Sequence, residues 1–129
     1  MTTQFEISVR NKPGEIARIA ELLGKSSVNI KGISTEMGKR KGIVHLITED
    51  ENTTRRTLSG AGLEFTEREI LEVAIPDRPG ELAKLARTLA RTGINIHSLF
   101  ILSTGSSVTV AMTVDQMEKT KEALWKYLD

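Results

Sequence analysis

The chain contains an internal repeat, and this repeat constrains its fold more than any other feature of the sequence. Residues 11–33 match residues 77–99 at an offset of 66 positions, with 8 identities among 23 aligned positions. The match extends upstream without a gap, where residues 5–9 align with residues 71–75. Downstream it continues at an offset of 65, with one residue lost in a predicted hairpin turn. A repeat on this scale indicates that a whole small structural unit has been duplicated.

Each copy opens with a predicted strand and an amphipathic helix. Apolar and polar residues alternate through 5–9 and 71–75, which is the pattern of a half-buried strand. A Pro-Gly pair then ends each strand and opens a helix, and proline suits the first helical position. Apolar residues recur in both helices at i, i+3, i+4 and i+7, so one stripe of each helix faces a core. These residues are Ile16, Ile19, Ala20 and Leu23 in the first copy and Leu82, Leu85, Ala86 and Leu89 in the second.

A β-hairpin is predicted next in both copies. The helices stop at Ser26-Ser27 and at Thr92-Gly93, and a second strand follows each stop. A turn that contains glycine or serine then leads to a third strand, over residues 43–48 in the first copy and 108–114 in the second.

A second helix follows the hairpin in each copy. In the first copy it covers about residues 51–59 and is only weakly amphipathic. In the second copy Asp115 and Glu118 have the spacing of a capping box. The apolar positions of that helix are Met117, Leu124, Leu128 and Trp125.

The element order predicts an α+β protein made of two ferredoxin-like βαββαβ units in tandem. The units cover residues 1–67 and 68–129, each with an antiparallel sheet and its helices on one face. Residues 63–66 supply the fourth strand of the first unit, whereas the second unit ends before a fourth strand of its own. An uncovered strand edge promotes aggregation. The first strand of the second unit would have such an edge. It could be covered by the 63–65 segment, by a partner subunit or by a contact between the units.

Composition excludes several classes of function. The 18 lysines and arginines balance 17 acidic residues, for a net charge of +1, whereas polyanion binders usually show a clear basic excess. The predicted third strands also lack the aromatic residues on which RNA-binding sheets stack bases. There is no cysteine, which excludes disulfides, thiolate catalysis and zinc–thiolate sites. The N-terminal residues lack the pattern of a signal peptide, and we expect a cytoplasmic location.

One uncharged stretch, residues 92–114, is long enough to span a membrane. The polar cluster at 103–107 interrupts it and has the composition of a turn between two strands. We therefore predict a buried hairpin and no membrane contact.

The motifs of the two copies resemble those of ACT domains, which are small regulatory modules that bind amino acids. The resemblance rests on a strand, an Asn/Asp-x-Pro-Gly turn, a helix and an Asn-Ile pair that opens the next strand. These motifs occur in both copies, which together make up nearly the whole chain. It implies a protein without catalytic activity, cofactor or metal. Its ligand would be a small amino acid held at a seam between ACT units.

Two sets of ligand-binding residues follow from this resemblance. In such domains the loop Asn or Asp, the backbone after it and the Asn of the second strand contact the ligand. The corresponding residues are Asn11, Gly14 and Asn29 in the first unit and Asp77, Gly80 and Asn95 in the second. A helix N-terminus favours a carboxylate, and glycine lets a ligand approach the backbone.

The second set is predicted to be the better amino-acid site. Asp77 is an anion that can pair with an α-ammonium group, whereas Asn11 is neutral. Both residues would also suit a helix cap or an Asx turn without any ligand, and the glycines would suit a tight turn. Val9 and Ile75 stand where serine-binding ACT domains carry a histidine, so serine specificity is not supported.

Three further features are weighed against structural explanations. His97 follows Asn95 by two positions and is therefore expected to line the pocket from the same face of its strand. His45 lies within a strand without metal-ligating neighbours, so a structural role is favoured. The basic tip Lys39-Arg40-Lys41 is interpreted as a solvated turn, with contact to an acidic partner as the alternative.

The resemblance implies two functions. The first is an amino-acid-binding regulator, expected as a homodimer, that signals by shifting the arrangement of its domains or subunits. The alternative is a regulatory subunit of an amino-acid biosynthetic enzyme, similar to the acetolactate synthase small subunit, whose main surface is a protein interface. An enzymatic function is not indicated, because no nucleophile set, paired carboxylates or phosphate loop is present in the sequence.

Overall fold

A computed structural model describes residues 2–103 and 105–128 of the chain. The chain divides into two compact units, one formed by Thr3–Arg68 and the other by residues 69–128 together with Thr2. The boundary falls inside a single strand, β4, which runs from Phe65 to Pro76. The sequence predicted two separate strands here, and that prediction was wrong. Residues 67–70 contain no glycine, proline or asparagine to break the strand, so the backbone stays extended.

The first unit has the predicted order of elements. They are β1 (Thr2–Arg10), α1 (Glu15–Lys25), β2 (Ile30–Met37), β3 (Lys41–Thr48), α2 (Glu51–Gly60) and the start of β4. The strands lie in the order β2-β3-β1-β4, and β3 pairs antiparallel with both of its neighbours. This is the ferredoxin-like arrangement that the sequence indicated.

The core of the first unit lies between the helices and one face of the sheet. Alternate residues of β1 point into it, and Phe5 and Ile7 are fully buried. Ile19 and Leu23 of α1 and Leu58 of α2 pack on the same cluster, so both helices cover one face. The apolar stripe predicted for α1 is therefore confirmed at Ile19 and Leu23 and in part at Ile16, whereas Ala20 is exposed.

Helix α2 depends on a cap that the sequence analysis missed. The Asp50 carboxylate accepts a hydrogen bond from the backbone N–H of Thr53 at 3.0 Å, and another from the hydroxyl of Thr53 at 2.6 Å. These hydrogen bonds lower the pKa of Asp50. The cap explains why this weakly amphipathic segment still forms a helix over its predicted range.

The second unit repeats the arrangement with three strands. The strands β5 and β6 begin and end 66 residues after β2 and β3, so the loss of one residue predicted for the hairpin turn was wrong. Its elements are the later part of β4, α3 (Glu81–Arg91), β5 (Ile96–Ser103), β6 (Ser107–Val114) and α4 (Met117–Ala123), followed by a 3-10 turn at Trp125–Tyr127. The strands lie in the order β4-β6-β5, and β6 pairs antiparallel with both neighbours. Within the described residues no strand follows α4. Thr2 belongs to this unit and donates its hydroxyl to Glu72 of β4 at 2.9 Å.

The capping box predicted for α4 is wrong. Gln116 is the N-cap of α4 and makes no side-chain capping hydrogen bond. Asp115 instead accepts a hydrogen bond from the backbone N–H of Asn95 at 3.0 Å. Leu124 is fully buried as predicted, whereas Trp125 is 66% exposed because the helix gives way to the 3-10 turn.

The uncharged stretch forms the predicted hairpin, since β5 and β6 pair along most of their length. Its predicted burial holds for β6, whereas none of the described side chains of β5 is fully buried. Thr104, which belongs to the predicted turn, lies outside the described residues. In the described part of the chain, no helix is long and apolar enough to cross a membrane.

The two ends of the α3 stripe are expected to differ in their effect on stability. Leu89 is fully buried, and Leu89→Ala should lower the free energy of unfolding by about 2–5 kcal/mol because it leaves a cavity. Leu82 is 41% exposed, and Leu82→Ala should cost about 1 kcal/mol or less. Urea denaturation of the unsubstituted chain and the two variants measures both changes in stability. Equal losses of stability in the two variants would contradict this description of the core.

Candidate functional site

A left-handed glycine connects the first strand to the first helix of each unit. Gly14 has a φ of 92° and Gly80 a φ of 87°, and each is the N-cap residue of its helix. The helices therefore begin at Glu15 and Glu81, and the two prolines lie before the cap. The expectation that proline occupies the first helical position was wrong, because glycine supplies the positive φ that turns the chain.

The space around these glycines is open. A Cβ atom built on Gly14 or Gly80 would meet no heavy atom within 4 Å. Glycine is thus required by the backbone conformation and not by the packing of neighbouring protein atoms. The same open space leaves the backbone of both turns accessible to a ligand.

Neither helix has a side-chain cap. Gly14 and Gly80 offer no capping side chain, and Asn11 and Asp77 do not supply one. The capping interpretation of these two residues was therefore wrong. The N–H groups of the first helical turn retain the partial positive charge that attracts a carboxylate.

Asn11 and Asp77 occupy matching positions but make different contacts. The Asn11 amide donates to the carbonyl oxygen of Gly38 at 2.8 Å, and the Asn11 N–H donates to the carbonyl oxygen of Arg40 at 2.8 Å. Asn11 thus holds the β2–β3 turn against the β1–α1 loop. Among the described residues, the Asp77 carboxylate accepts no hydrogen bond and forms no ion pair. Asp77 is therefore free to contact a ligand, whereas Asn11 is committed to the turn.

Asp77 borders a small cleft of about 130 Å³ in the second unit. The walls are mainly apolar and include Leu82 of α3, Ile101 of β5 and Val108 of β6. Arg78 also lines the cleft, and it pairs with Glu81 at 3.1 Å. The carboxylates of Asp77 and Glu81, the guanidinium of Arg78 and an apolar wall thus surround one small space.

The first unit has a larger cleft of about 540 Å³ next to its own loop. It lies between the end of β1, helix α1 and the segment that precedes β4. Four cationic and two acidic side chains line it, together with Ser8, Val9, Gly62 and Leu63. The charged residues are Arg10, Lys12, Arg18, Lys41, Glu15 and Glu64.

The asparagines of the second strands do not join the loop residues of their own unit. Asn11 follows Arg10, which is paired with Lys41, whereas Asn29 precedes Ile30, which is paired with Thr48. Lys41 and Thr48 are seven positions apart along β3, which corresponds to about 23 Å at roughly 3.3 Å per residue. The second unit repeats this separation, with Pro76 paired to Ser107 and Ile96 to Val114.

His97 lies at an irregularity in β5. The pairing with β6 shifts register between Ile96 and Ser98, so His97 is the bulged residue. A bulge interrupts strict alternation, and the argument that placed His97 on the same face as Asn95 fails for this reason. His97 and Asn95 are both exposed. His45 is half-buried, and its Nδ1 lies 3.2 Å from the Nε2 of Gln4, consistent with the predicted structural role.

Several cleft residues were missed by the sequence analysis. Arg78, Glu81 and Ile101 line the second cleft, and Arg10 and Lys41 line the first. For Arg10, Lys41 and Ile101 the signal that could have found them is that the other copy carries a different type of residue at the matching position. Glu81 matches Glu15 and Arg78 matches Lys12, so comparison of the copies does not single these two out.

Comparison with known proteins identifies the same family that the sequence motifs indicated. The model of a family described as an ACT domain pair matches residues 1–128. No curated protein sequence matches the chain at a significant level.

Solved structures share the fold at low sequence identity. A protein from Bacteroides thetaiotaomicron matches with a TM-score of 0.92 and 23% identity, over 98% of this chain and 88% of that chain. The ligand-free regulatory subunit of aspartate kinase from Thermus thermophilus matches with a TM-score of 0.71 and 20% identity, over 99% and 93%. The corresponding subunit from Thermus flavus matches with a TM-score of 0.66 and 19% identity, over 98% and 92%. At these identities the similarity shows the fold alone.

Substitution of the loop glycine should test its conformational role. Gly80→Ala should lower the free energy of unfolding by about 1–2 kcal/mol, because alanine is strained at positive φ. Gly24 lies within α1 with open space around it, so Gly24→Ala should raise stability by about 0.5–1 kcal/mol. Urea denaturation measures both changes. A neutral Gly80→Ala would show that the loop does not need glycine.

Proposed function

The chain belongs to the ACT domain pair family, and we propose that it is a non-catalytic regulatory protein that binds a small amino acid. Family membership and the similarity of its fold to regulatory subunits of aspartate kinase support a regulatory role. The observation that carries the amino-acid ligand is the unpaired carboxylate of Asp77, which borders an apolar cleft beside an uncapped helix.

Each part of a small amino acid has a complementary group in the second unit. Its ammonium group would pair with Asp77 in a charge-assisted hydrogen bond. Its carboxylate would accept from the N–H groups of Leu82 and Ala83 in the first turn of α3, since the N–H of Glu81 already donates to the carbonyl oxygen of Arg78. Its side chain would contact Leu82, Ile101 and Val108. The cleft of about 130 Å³ favours a small apolar side chain.

The predicted residue Asn95 could contact the same ligand as an Asp77 carboxylate only across two ACT units. Because Asp77 and Asn95 lie at opposite ends of one sheet, a ligand that contacts both types of residue must be shared by two units. We therefore include a homodimer in the proposal. A shared ligand shifts the equilibrium between arrangements only by its difference in affinity for them.

A second candidate function is that of a regulatory subunit bound to an amino-acid biosynthetic enzyme. It is favoured by the fold similarity to the Thermus thermophilus regulatory subunit, which covers 93% of that chain. This candidate predicts co-purification with a larger enzyme and a change in that enzyme's activity on mixing. The amino-acid regulator predicts direct binding by the isolated chain.

A thermal-shift screen against the twenty amino acids tests the ligand class. A ligand at a hundred times its dissociation constant should stabilise the protein by about 2.7 kcal/mol. We expect small apolar amino acids to raise the melting temperature. If none does so at millimolar concentration, amino-acid binding is contradicted and the enzyme-subunit function is favoured.

Three substitutions test which residues bind. Asp77→Asn removes the charge at nearly constant volume and should weaken binding roughly tenfold or more. Asn95→Ala should also weaken it, whereas Asn11→Ala should have a smaller effect because its side chain holds the β2–β3 turn. Calorimetric titration measures the affinities, and urea denaturation of each variant without ligand checks its stability. Equal losses in all three variants would contradict the dominance of the second site.

A further inference from the structure

The large cleft of the first unit differs from the amino-acid cleft in its charge. Its four cations exceed its two carboxylates, although the whole chain carries a net charge of only +1. Lys12 pairs with Glu15 at 3.9 Å. One guanidinium nitrogen of Arg18 donates to the carbonyl oxygen of Ala61 at 3.2 Å, which holds the arginine at the cleft and leaves its other N–H groups available.

Two of the cations stand directly opposite each other. Arg10 on β1 is the register partner of Lys41 on β3, and both side chains line the cleft. Within the described residues, neither side chain forms an ion pair or a hydrogen bond. Like charges at opposed positions of an antiparallel pair destabilise it. A negatively charged group between them would remove this repulsion.

The second unit lacks this pair of cations. The same register position is occupied there by Pro76 and Ser107. The second unit also carries an additional negative charge at its loop, since Asp77 stands where the first unit has the neutral Asn11. Both differences make the first unit more attractive to an anion and less attractive to an ammonium group.

The β2–β3 turn brings Lys41 to the cleft. Lys41 follows the turn of Gly38, Lys39 and Arg40, and Asn11 binds the carbonyl oxygens of that turn. The side chain of Asn11 therefore serves the first cleft by positioning its cations, which gives it a role other than direct contact with an amino acid.

We propose that this cleft binds a small molecule with at least two negative charges, carried by phosphoryl or carboxylate groups. Arg10 and Arg18 offer planar forks that suit both types of group, and Lys41 adds a point charge. A volume of about 540 Å³ lies in the usual range for metabolite pockets. Glu15 and Glu64 in the same cleft disfavour a long polyanion and favour a ligand that also carries hydroxyl or amino donors. This second ligand is independent of the proposed amino acid.

The test uses pyrophosphate and succinate as probes of the two types of anion. Each is titrated into the full chain by calorimetry, at an ionic strength held constant with sodium chloride. Saturable binding of either probe is expected, and the tighter probe distinguishes phosphoryl from carboxylate recognition. An absence of saturable binding for both would overturn the proposal.

Substitutions locate the bound anion. Arg10→Gln and Lys41→Gln should each weaken binding roughly tenfold, the usual effect of losing a charge-assisted hydrogen bond. Lys84→Gln is the matched control, because Lys84 is the repeat partner of Arg18 and lies outside the cleft. It should change the affinity less than about twofold. Unchanged affinity in both cleft variants would overturn the proposal.

Two controls separate this proposal from the amino-acid site and from misfolding. Asp77→Asn should leave the anion affinity unchanged, so the result for the anion site does not depend on whether the amino-acid site is correct. Lys41→Gln removes a like-charge repulsion, so its urea midpoint without ligand should equal or exceed that of the unsubstituted chain. A lower midpoint would contradict the repulsion between Arg10 and Lys41 on which the proposal rests.

Discussion

The site in each unit depends on one backbone conformation, the left-handed glycine between the first strand and the first helix. Gly14 and Gly80 adopt φ values of 92° and 87°, which only glycine adopts at low cost. The turn reverses the chain so that the helix packs on the sheet. It also starts the helix without a side-chain cap, although in α3 the N–H of Glu81 donates to the carbonyl oxygen of Arg78 at 3.3 Å. If the proposed amino-acid site is correct, the same glycine serves both folding and ligand binding.

The duplicated units keep this backbone and differ in the charges around it. Asn11 uses its amide to hold a turn, whereas the Asp77 carboxylate has no hydrogen-bond or ion-pair partner among the residues that the structure describes. Arg10 and Lys41 oppose each other where the second unit has Pro76 and Ser107. In the two proposals made above, one small fold would bind an ammonium group at the loop of one copy and an anion in the cleft of the other, because electrostatic attraction depends on side chains and not on the fold.

Much of the fold was predictable, for reasons that are local. The helix stripe through Leu85 and Leu89 and the alternation through Phe5 and Ile7 both follow from the periods of helix and strand. The wrong predictions about individual elements arose where one local pattern allowed two structures and the surrounding residues decided between them. Asp115 had the spacing of a cap, but its carboxylate binds the N–H of Asn95 instead. The strand β4 is continuous because nothing in residues 67–70 interrupts it.

The sequence by itself determined the order of elements and the glycine turn, because these depend on residues within a few positions of one another. It also determined the duplication, because whole segments match at a spacing of 66 residues. Only the tertiary structure decided which residues share a cleft. Lys41 reaches Arg10 through strand register, and Ile101 reaches Asp77 from a strand more than twenty residues away. Asn29 and Asn95 stand far from the loops of their own units, since the first and second strands of each unit run in the same direction and a helix separates them. Long-range pairing sets these distances, and no local pattern in the chain encodes them.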